Sequence, residues 1–184
     1  RSFDDFRVVQ SVDKAMLRDI HLKDPFPYVD ALCVPLEDVT DFRQTSGTTG
    51  QPVYQPDTWT DWEWWSECWS FILWAQGYRP RDRVFIPFGY NIFVAFWAGH
   101  YGAEKIGAEV VPGGVLDTQA RILKIQELQA TAMMATPTYV LGMADTARNK
   151  MGLDPAKMTI NKITCAGDPG ASIPGTKKRM EAAW

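Results

Sequence analysis

Only three cysteines (Cys33, Cys68, Cys165) and two histidines (His21, His100) occur in the 184 residues, and no Cys-x-x-Cys pair is among them. An odd number of widely spaced thiols excludes a disulfide framework, and so few soft or imidazole ligands leave a zinc site without its donors. The expectation is three buried thiols in a reducing compartment and no metal ligated by the chain. Positive charge is not in excess either: 19 Lys and Arg are interspersed with 22 Asp and Glu, for a net charge of -3. No basic stripe is offered to nucleic acid. The long apolar run of a membrane span is also missing, because the Trp-rich stretch near residue 70 is broken by Glu63 and Glu67. No signal peptide is recognisable, so the expected protein is cytoplasmic, with neither a nucleic-acid nor a membrane partner. The chain opens on Arg1 rather than Met, and upstream sequence is expected to be missing or processed.

What is present is enough apolar material for one sizeable core, 46% of the composition. Residues 1–40 form a mixed lead-in, with a short amphipathic stretch through Val12, Ala15, Met16 and Ile20 and breakers at Pro25, Pro27 and Pro35. From Asp57 the period changes. Thr58 and Asp61 resemble a capping box, and Trp62, Trp65, Trp69 and Ile72 or Leu73 recur at helical spacing opposite Glu63, Glu67 and Ser70. Gly77 and Pro80 end this helix, and its Trp stripe is read as core.

Beyond it, strand-like and helix-like runs alternate four times. The strands are expected at Arg83–Pro87, Ala108–Val111, Thr131–Met134 and Lys162–Cys165. Their helices follow at Phe93–Gly107, Thr118–Leu128, Tyr139–Lys150 and in a last run ending near Met180. Short connections between such units imply parallel strands with right-handed crossovers, hence an α/β layered, mostly parallel sheet with helices on both faces. Ligands of such sheets sit beyond the carboxyl ends of the strands.

One stretch has no hydrophobic side chain at all: Thr45-Ser46-Gly47-Thr48-Thr49-Gly50-Gln51-Pro52. Its glycines permit positive φ and close approach of backbone N–H groups to an anion, and Ser46, Thr48 and Thr49 add hydroxyl donors, as a polyphosphate cradle requires. A Gly/Thr-rich hairpin turn without a ligand has the same composition. It is not a Walker A loop, because Gly50 is followed by Gln51-Pro52 and then by Val53-Tyr54, which reads as a second strand. The strand entering it is expected at Asp38–Arg43.

Ser-Gly-Thr-Thr-Gly-x-Pro resembles the phosphate loop of the acyl-adenylate-forming enzymes, the acyl-CoA synthetase and luciferase superfamily. Phe88-Gly89-Tyr90-Asn91-Ile92-Phe93, His100-Tyr101-Gly102-Ala103-Glu104-Lys105-Ile106-Gly107-Ala108 and Ala135-Thr136-Pro137-Thr138-Tyr139 follow in the order and spacing of its phenylacetate-CoA ligase branch. The resemblance covers roughly Pro25 to the end. It implies that 1–184 is part of the N-terminal ATP- and acyl-binding domain, with residues 41–184 carrying the loop and the strand–helix units and the C-terminal domain absent. It implies ATP-dependent conversion of an aromatic acid such as phenylacetate or benzoate to acyl-AMP and then acyl-CoA, with ATP, Mg²⁺ and CoA taking part.

The implied roles are residue by residue. Thr45, Ser46, Gly47, Thr48, Thr49 and Gly50 would hold the phosphates, and Gly167, Asp168 and Pro169 the adenine. Tyr90, Phe93 and Tyr139 would line the acyl pocket, although the same aromatics would also serve to pack a helix start against the sheet. Two departures stand out: Gly167-Asp168-Pro169 replaces the Gly-Glu-Pro of many relatives, and Gln51 and Val53 occupy places where relatives often carry a lysine. Without that lysine more of the charge neutralisation would fall to Mg²⁺. Thr136 reads as a helix cap, and His100 as a core histidine with one hydrogen bond and no acidic partner. An open sheet edge is expected to favour self-association or a homo-oligomer. A nucleotide-binding module without catalysis and an interaction scaffold docking through its Trp-rich helix remain alternatives at this level.

Overall fold

Asp5 Oδ2 accepts a hydrogen bond from the Ser2 amide at 2.6 Å while Ser2 Oγ accepts from the Asp5 amide at 3.4 Å, and this reciprocal cap starts α1 (Phe3–Arg7). Five residues with none buried show no apolar period, which is why pattern alone gives no sign of α1. The structure, a computed structural model, describes residues 2–26, 28–45, 47 and 50–184, in two units spanning 1–59 and 60–184.

In the first unit Asp13 caps α2 (Lys14–Lys23), accepting from the Met16 amide at 2.8 Å, where the sequence shows its short amphipathic stretch. Two 3₁₀ turns (Val29–Ala31 and Leu36–Asp38) lead to β1 (Asp41–Gln44), which pairs antiparallel with β2 (Tyr54–Asp57). Aromatic rings hold these pieces together: Tyr28 stacks on Tyr54 with centroids 5.0 Å apart, His21 meets Tyr28 edge-on at 4.6 Å, and Phe26 lies 5.6 Å from Phe42.

The second unit carries the alternation read from the sequence. α3 (Trp59–Ala75) leads into it, followed by β3 (Arg83–Ile86), α4 (Val94–Lys105), β4 (Glu109–Pro112), α5 (Thr118–Glu127), β5 (Ala132–Ala135), α6 (Pro137–Met151), β6 (Lys162–Cys165) and α7 (Pro174–Ala183). The four strands are all parallel, in the order β4-β3-β5-β6. Their side chains divide by parity, as a pleated strand requires. Phe85, Met133 and Ala135 pack with Ile122, Ile125, Val140, Met143 and Met180 of α5, α6 and α7. Val84, Ile86, Ala132 and Met134 pack with Leu73 of α3 and Ala103 of α4. The sheet is therefore covered on both faces.

The amino ends of the strands are closed by a polar knot. Asp82, 4% exposed, accepts from Lys162 Nζ at 2.9 Å, Thr131 Oγ1 at 2.7 Å and the Arg79 amide at 2.7 Å. Burial pushes its carboxyl upward, but these donors outweigh burial and hold it below the usual carboxylate range. The carboxyl ends carry the loops.

One expectation needs correction. The thiols are not all buried: Cys33, in irregular chain between the two 3₁₀ turns, is exposed, and Cys68 and Cys165 are half-buried, Cys165 because it ends the edge strand β6. The Trp stripe of α3 lies inward as read, and other apolar residues of the helix lie outside it. Trp62 and Leu73 are buried and Trp65 and Trp69 half-buried, whereas Ile72, Trp64, Trp74 and Phe71 are exposed, because apolar residues surround this helix while only one side of it meets the sheet. Among the described residues, no helix is long and apolar enough to cross a membrane.

Candidate active site

The glycine loop joins β1 to β2 and lies wholly in the first unit. The Thr45 amide donates to Val53 O at 3.0 Å, and Thr45 Oγ1 accepts from the Val53 amide at 3.1 Å. One more bond, from the Gly50 amide to Gly47 O at 3.0 Å, closes the turn. Gly47 has φ +67°, and a Cβ there would stand 3.0 Å from Gly50 O and 3.2 Å from Pro52 N. Only glycine fits. Gly50 has φ +137° and its open side lies against the Arg18 guanidinium of α2, whose Nε donates to Gln51 O at 3.0 Å. Ser46, Thr48 and Thr49 lie outside the described residues.

The remaining sequence-derived residues belong to the second unit, on loops and in the first turn of α6 at the carboxyl edge of the sheet. Tyr90, after β3, is 8% exposed, its ring edge-on to Trp97 at 4.9 Å and its hydroxyl 2.9 Å from His100 Nδ1. His100 Nε2 lies 3.1 Å from Glu104 Oε1, one helical turn on. A carboxylate only accepts, so the neutral ring keeps its proton on Nε2 for Glu104 and takes the Tyr90 O–H at Nδ1. Burial, and then the nearby Glu104 charge, raise the Tyr90 phenol above its usual range. His100 thus has two partners, one of them acidic, which corrects the single bond expected from sequence. Phe93 caps α4, its amide donating to Tyr90 O at 3.2 Å, and its side chain is 39% exposed.

Tyr139 sits apart from Tyr90, with the α5–α7 core. Its hydroxyl takes a hydrogen bond from Arg121 Nη1 at 2.6 Å and lies 3.1 Å from Thr118 Oγ1, and its ring is 5.1 Å from Phe88. Arg121 also donates to Gly113 O at 2.9 Å and Gly114 O at 2.8 Å, fixing the turn after β4. That turn touches the one after β3 so closely that a Cβ on Gly114 would be 2.9 Å from Gly89 Cα. Three strand-end loops are thus locked around Phe88 and Tyr139. Arg121 escaped sequence reading because two of its partners are backbone carbonyls and the third, Tyr139, is 18 residues away, and no residue pattern announces them.

After β6 the chain folds onto the start of α6. Gly167 has φ +96° and a Cβ would be 3.0 Å from Thr136 Cγ2, while Asp168 Oδ2 accepts from the Thr138 amide at 3.4 Å. Thr136 caps α6 as expected, accepting from the Tyr139 amide at 3.4 Å, with Pro137 in the first helical position. A groove of about 560 Å³ opens here, lined by Thr138, Leu141, Asp145, Asp168, Pro169 and Arg179 among others. Its lining mixes apolar Leu141 and Pro169 with charged Asp145, Asp168 and Arg179 beside the helix start. Among the described residues, no group of three or more His, Cys, Asp or Glu could hold a metal ion.

No protein-family profile matches the chain. It is 31% identical over 169 residues to phenylacetate-coenzyme A ligase of Escherichia coli, covering 90% of this chain and 38% of that protein. The corresponding enzyme of Pseudomonas putida is 34% identical over 148 residues, covering 80% of this chain and 33% of its own length. Among solved structures, 2-hydroxyisobutyryl-CoA ligase in complex with 2-HIB-AMP and CoA superposes over 100% of this chain and 39% of that one, with TM-score 0.91 and 30% identity. The chain belongs to the phenylacetate-CoA ligase-like branch of the acyl-adenylate-forming superfamily. A long-chain-fatty-acid-CoA ligase of Archaeoglobus fulgidus shares the fold, with TM-score 0.60 at 18% identity. The chain spans about a third of the length of the curated relatives it matches.

Proposed function

We propose that this ligase-family chain forms the phosphate- and acyl-binding part of an enzyme that activates an aromatic carboxylic acid with ATP and passes the acyl group to CoA. The observation that supports the reading is the 31% identity over 90% of this chain to a phenylacetate-coenzyme A ligase, and the match over the whole chain to a ligase crystallised with 2-HIB-AMP and CoA supports the acyl-AMP route. A carboxylate is a poor acyl donor because its leaving group is oxide. Its attack on the α-phosphorus expels pyrophosphate and forms a mixed anhydride, from which a thiolate then displaces AMP. In this proposal Thr45, Ser46, Gly47, Thr48, Thr49 and Gly50 hold the departing pyrophosphate. A turn kept free of Cβ atoms at Gly47 and Gly50 fits that task. Gly167, Asp168 and Pro169 take the adenine beside the start of α6, and Tyr90, Phe93 and Tyr139 shape the acyl site. No described cluster fits Mg²⁺, so no residue is assigned to it.

The half-exposed Phe93 ring and the engaged hydroxyls of Tyr90 and Tyr139 leave apolar ring surface rather than polar groups for the acyl part. The intact enzyme should therefore form CoA thioesters from phenylacetate or benzoate in preference to acetate or 2-hydroxyisobutyrate. Phe93→Ala should cut kcat/KM for the aryl acids roughly tenfold, on the order of the 1.5–3 kcal/mol of a buried aromatic contact, and leave ATP binding unchanged. A panel of acids with the same ranking before and after the substitution would remove Phe93 from the site.

The proposal includes a cytoplasmic enzyme that self-associates through the second unit. There β6 is an edge strand beside a groove of about 500 Å³ lined by Ile160, Ile163, Cys165, Ala171, Met180 and Trp184 among others. Light scattering should give a mass above the monomer, and a monomer at high concentration would count against it.

A further inference from the structure

Tyr90, His100 and Glu104 form a hydrogen-bonded line that begins in the turn after β3 and runs along α4. Tyr90 Oη lies 2.9 Å from His100 Nδ1, and His100 Nε2 lies 3.1 Å from Glu104 Oε1. The inner members are enclosed: Tyr90 is 8% exposed and the His100 side chain 16% exposed, while Glu104 reaches solvent at the outer end. Rings pack on the imidazole, Tyr90 edge-on at 5.4 Å and Tyr101 edge-on at 5.5 Å. The turn is tied to the same helix, since Trp97 Nε1 donates to Asn91 O at 2.9 Å.

A carboxylate at one ring nitrogen decides what the other nitrogen does. Glu104 only accepts, so the neutral ring keeps its proton on Nε2 and offers Nδ1 as an acceptor. The phenol has one proton, and it goes to Nδ1. A staple between turn and helix would need only Tyr90 and His100. Glu104 adds direction to the line, because it fixes which partner donates.

We propose that His100 and Glu104 are positioning residues that set acid selectivity by keeping the Tyr90 hydroxyl from donating into the acyl site, an inference that rests on the functional reading above, in which Tyr90 lines that site. An acid whose polar group can only accept, such as the keto oxygen of phenylglyoxylate, meets phenol lone pairs there and gives up its water without a replacement donor. Phenylacetate carries hydrogens at that carbon and loses nothing. A buried acceptor left unpaired is the kind of mismatch by which a site rejects a close analogue strongly.

Two measurements on the intact enzyme test this. The ring-nitrogen chemical shifts of neutral His100 should place its proton on Nε2. The ratio of kcat/KM for phenylacetate to that for phenylglyoxylate should fall about tenfold in Glu104→Lys, whose ammonium only donates and turns the ring to its Nδ1–H form. It should fall about as far in His100→Phe, which has no acceptor at all and decides the question should Glu104→Lys not fold. Glu104→Gln, whose amide oxygen still accepts, should keep the ratio within about twofold. Adding Tyr90→Phe to Glu104→Lys removes the released hydroxyl and should bring the ratio back to within about twofold of the parent. KM for ATP should not move in any of them. A staple without the directing role would lower kcat/KM for both acids alike. A proton on Nδ1 in the parent, or an unchanged ratio in either folded variant, would overturn the inference and leave the functional reading standing. A parent enzyme that forms no thioester from any acid would overturn both.

Discussion

Gly102→Ala lowers the melting temperature by roughly 4–8 °C, while Gly142→Ala raises it by a few degrees. That opposite pair is the expected result for one substitution made in two helices. A Cβ on Gly102 of α4 would lie 2.4 Å from Trp69 Cβ and 3.2 Å from the Trp69 carbonyl carbon on α3. Part of that clash is with backbone, which no rotamer change relieves, so the helices must separate. Overpacking of this kind costs about 1–3 kcal/mol and sits at the upper end here, while the gain in helix propensity returns at most about 1 kcal/mol. The remainder is about 2 kcal/mol, and each kcal/mol moves the midpoint by about 2–4 °C at this chain length. Gly142, exposed on α6, has nothing within 4 Å of its would-be Cβ, so only the propensity gain applies. Circular dichroism melts of both variants would decide, and equal shifts would show that α3 and α4 are not in this close contact.

A second large effect is expected at the phosphate loop. Thr48→Ala or Thr49→Ala should weaken ATP binding roughly ten- to a hundredfold, the cost of about 1.5–3 kcal/mol for a lost hydrogen bond to a charged group. AMP should be almost unaffected, because the residues are proposed to act on the phosphates it lacks. Gly47→Ala should do at least as much by another route. Its φ of +67° and the 3.0 Å approach of Gly50 O leave no place for a methyl group, and forcing a side chain into that conformation costs about 1–3 kcal/mol or opens the turn. Titration with both nucleotides in the intact protein separates these cases. Equal losses for ATP and AMP would take the loop away from the polyphosphate.

Much of the fold is legible in the sequence because it is written in local periods. β6 runs from Lys162 to Cys165 as read, α4 begins one residue after Phe93, and Thr136 caps its helix. Which core each residue of Arg83–Ile86 enters is not legible, because Val84, Phe85 and Ile86 are apolar in a row; the pleat sends Phe85 to one face and Val84 and Ile86 to the other. Trp64 and Phe71 are as apolar as Trp62, but Glu63 and Glu67 mark the outer side of the helix, and Trp62, Trp65, Trp69 and Leu73 lie inward as read. Periods fail for ties between distant segments. Arg18 reaches a carbonyl 33 residues away and Arg121 a pair of glycine carbonyls, and a backbone acceptor leaves no mark in the sequence. His100 is an intermediate case: Glu104 stands at the i+4 position in plain view, but Tyr90, the other partner, is brought in by the turn at Asn91, whose φ is +52°.

The proposed enzyme joins a carboxylate to the α-phosphorus of ATP and releases pyrophosphate from the loop at Gly47–Gly50. Exchange of labelled pyrophosphate into ATP by the intact protein, with and without phenylacetate, measures that step directly, because label enters ATP only when acyl-AMP forms and reverts. Exchange that requires the acid and is lost in Gly47→Ala is the predicted result. ATP binding without any acid-dependent exchange, across aromatic and aliphatic acids alike, would contradict the account and leave a nucleotide-binding protein without the ligase chemistry.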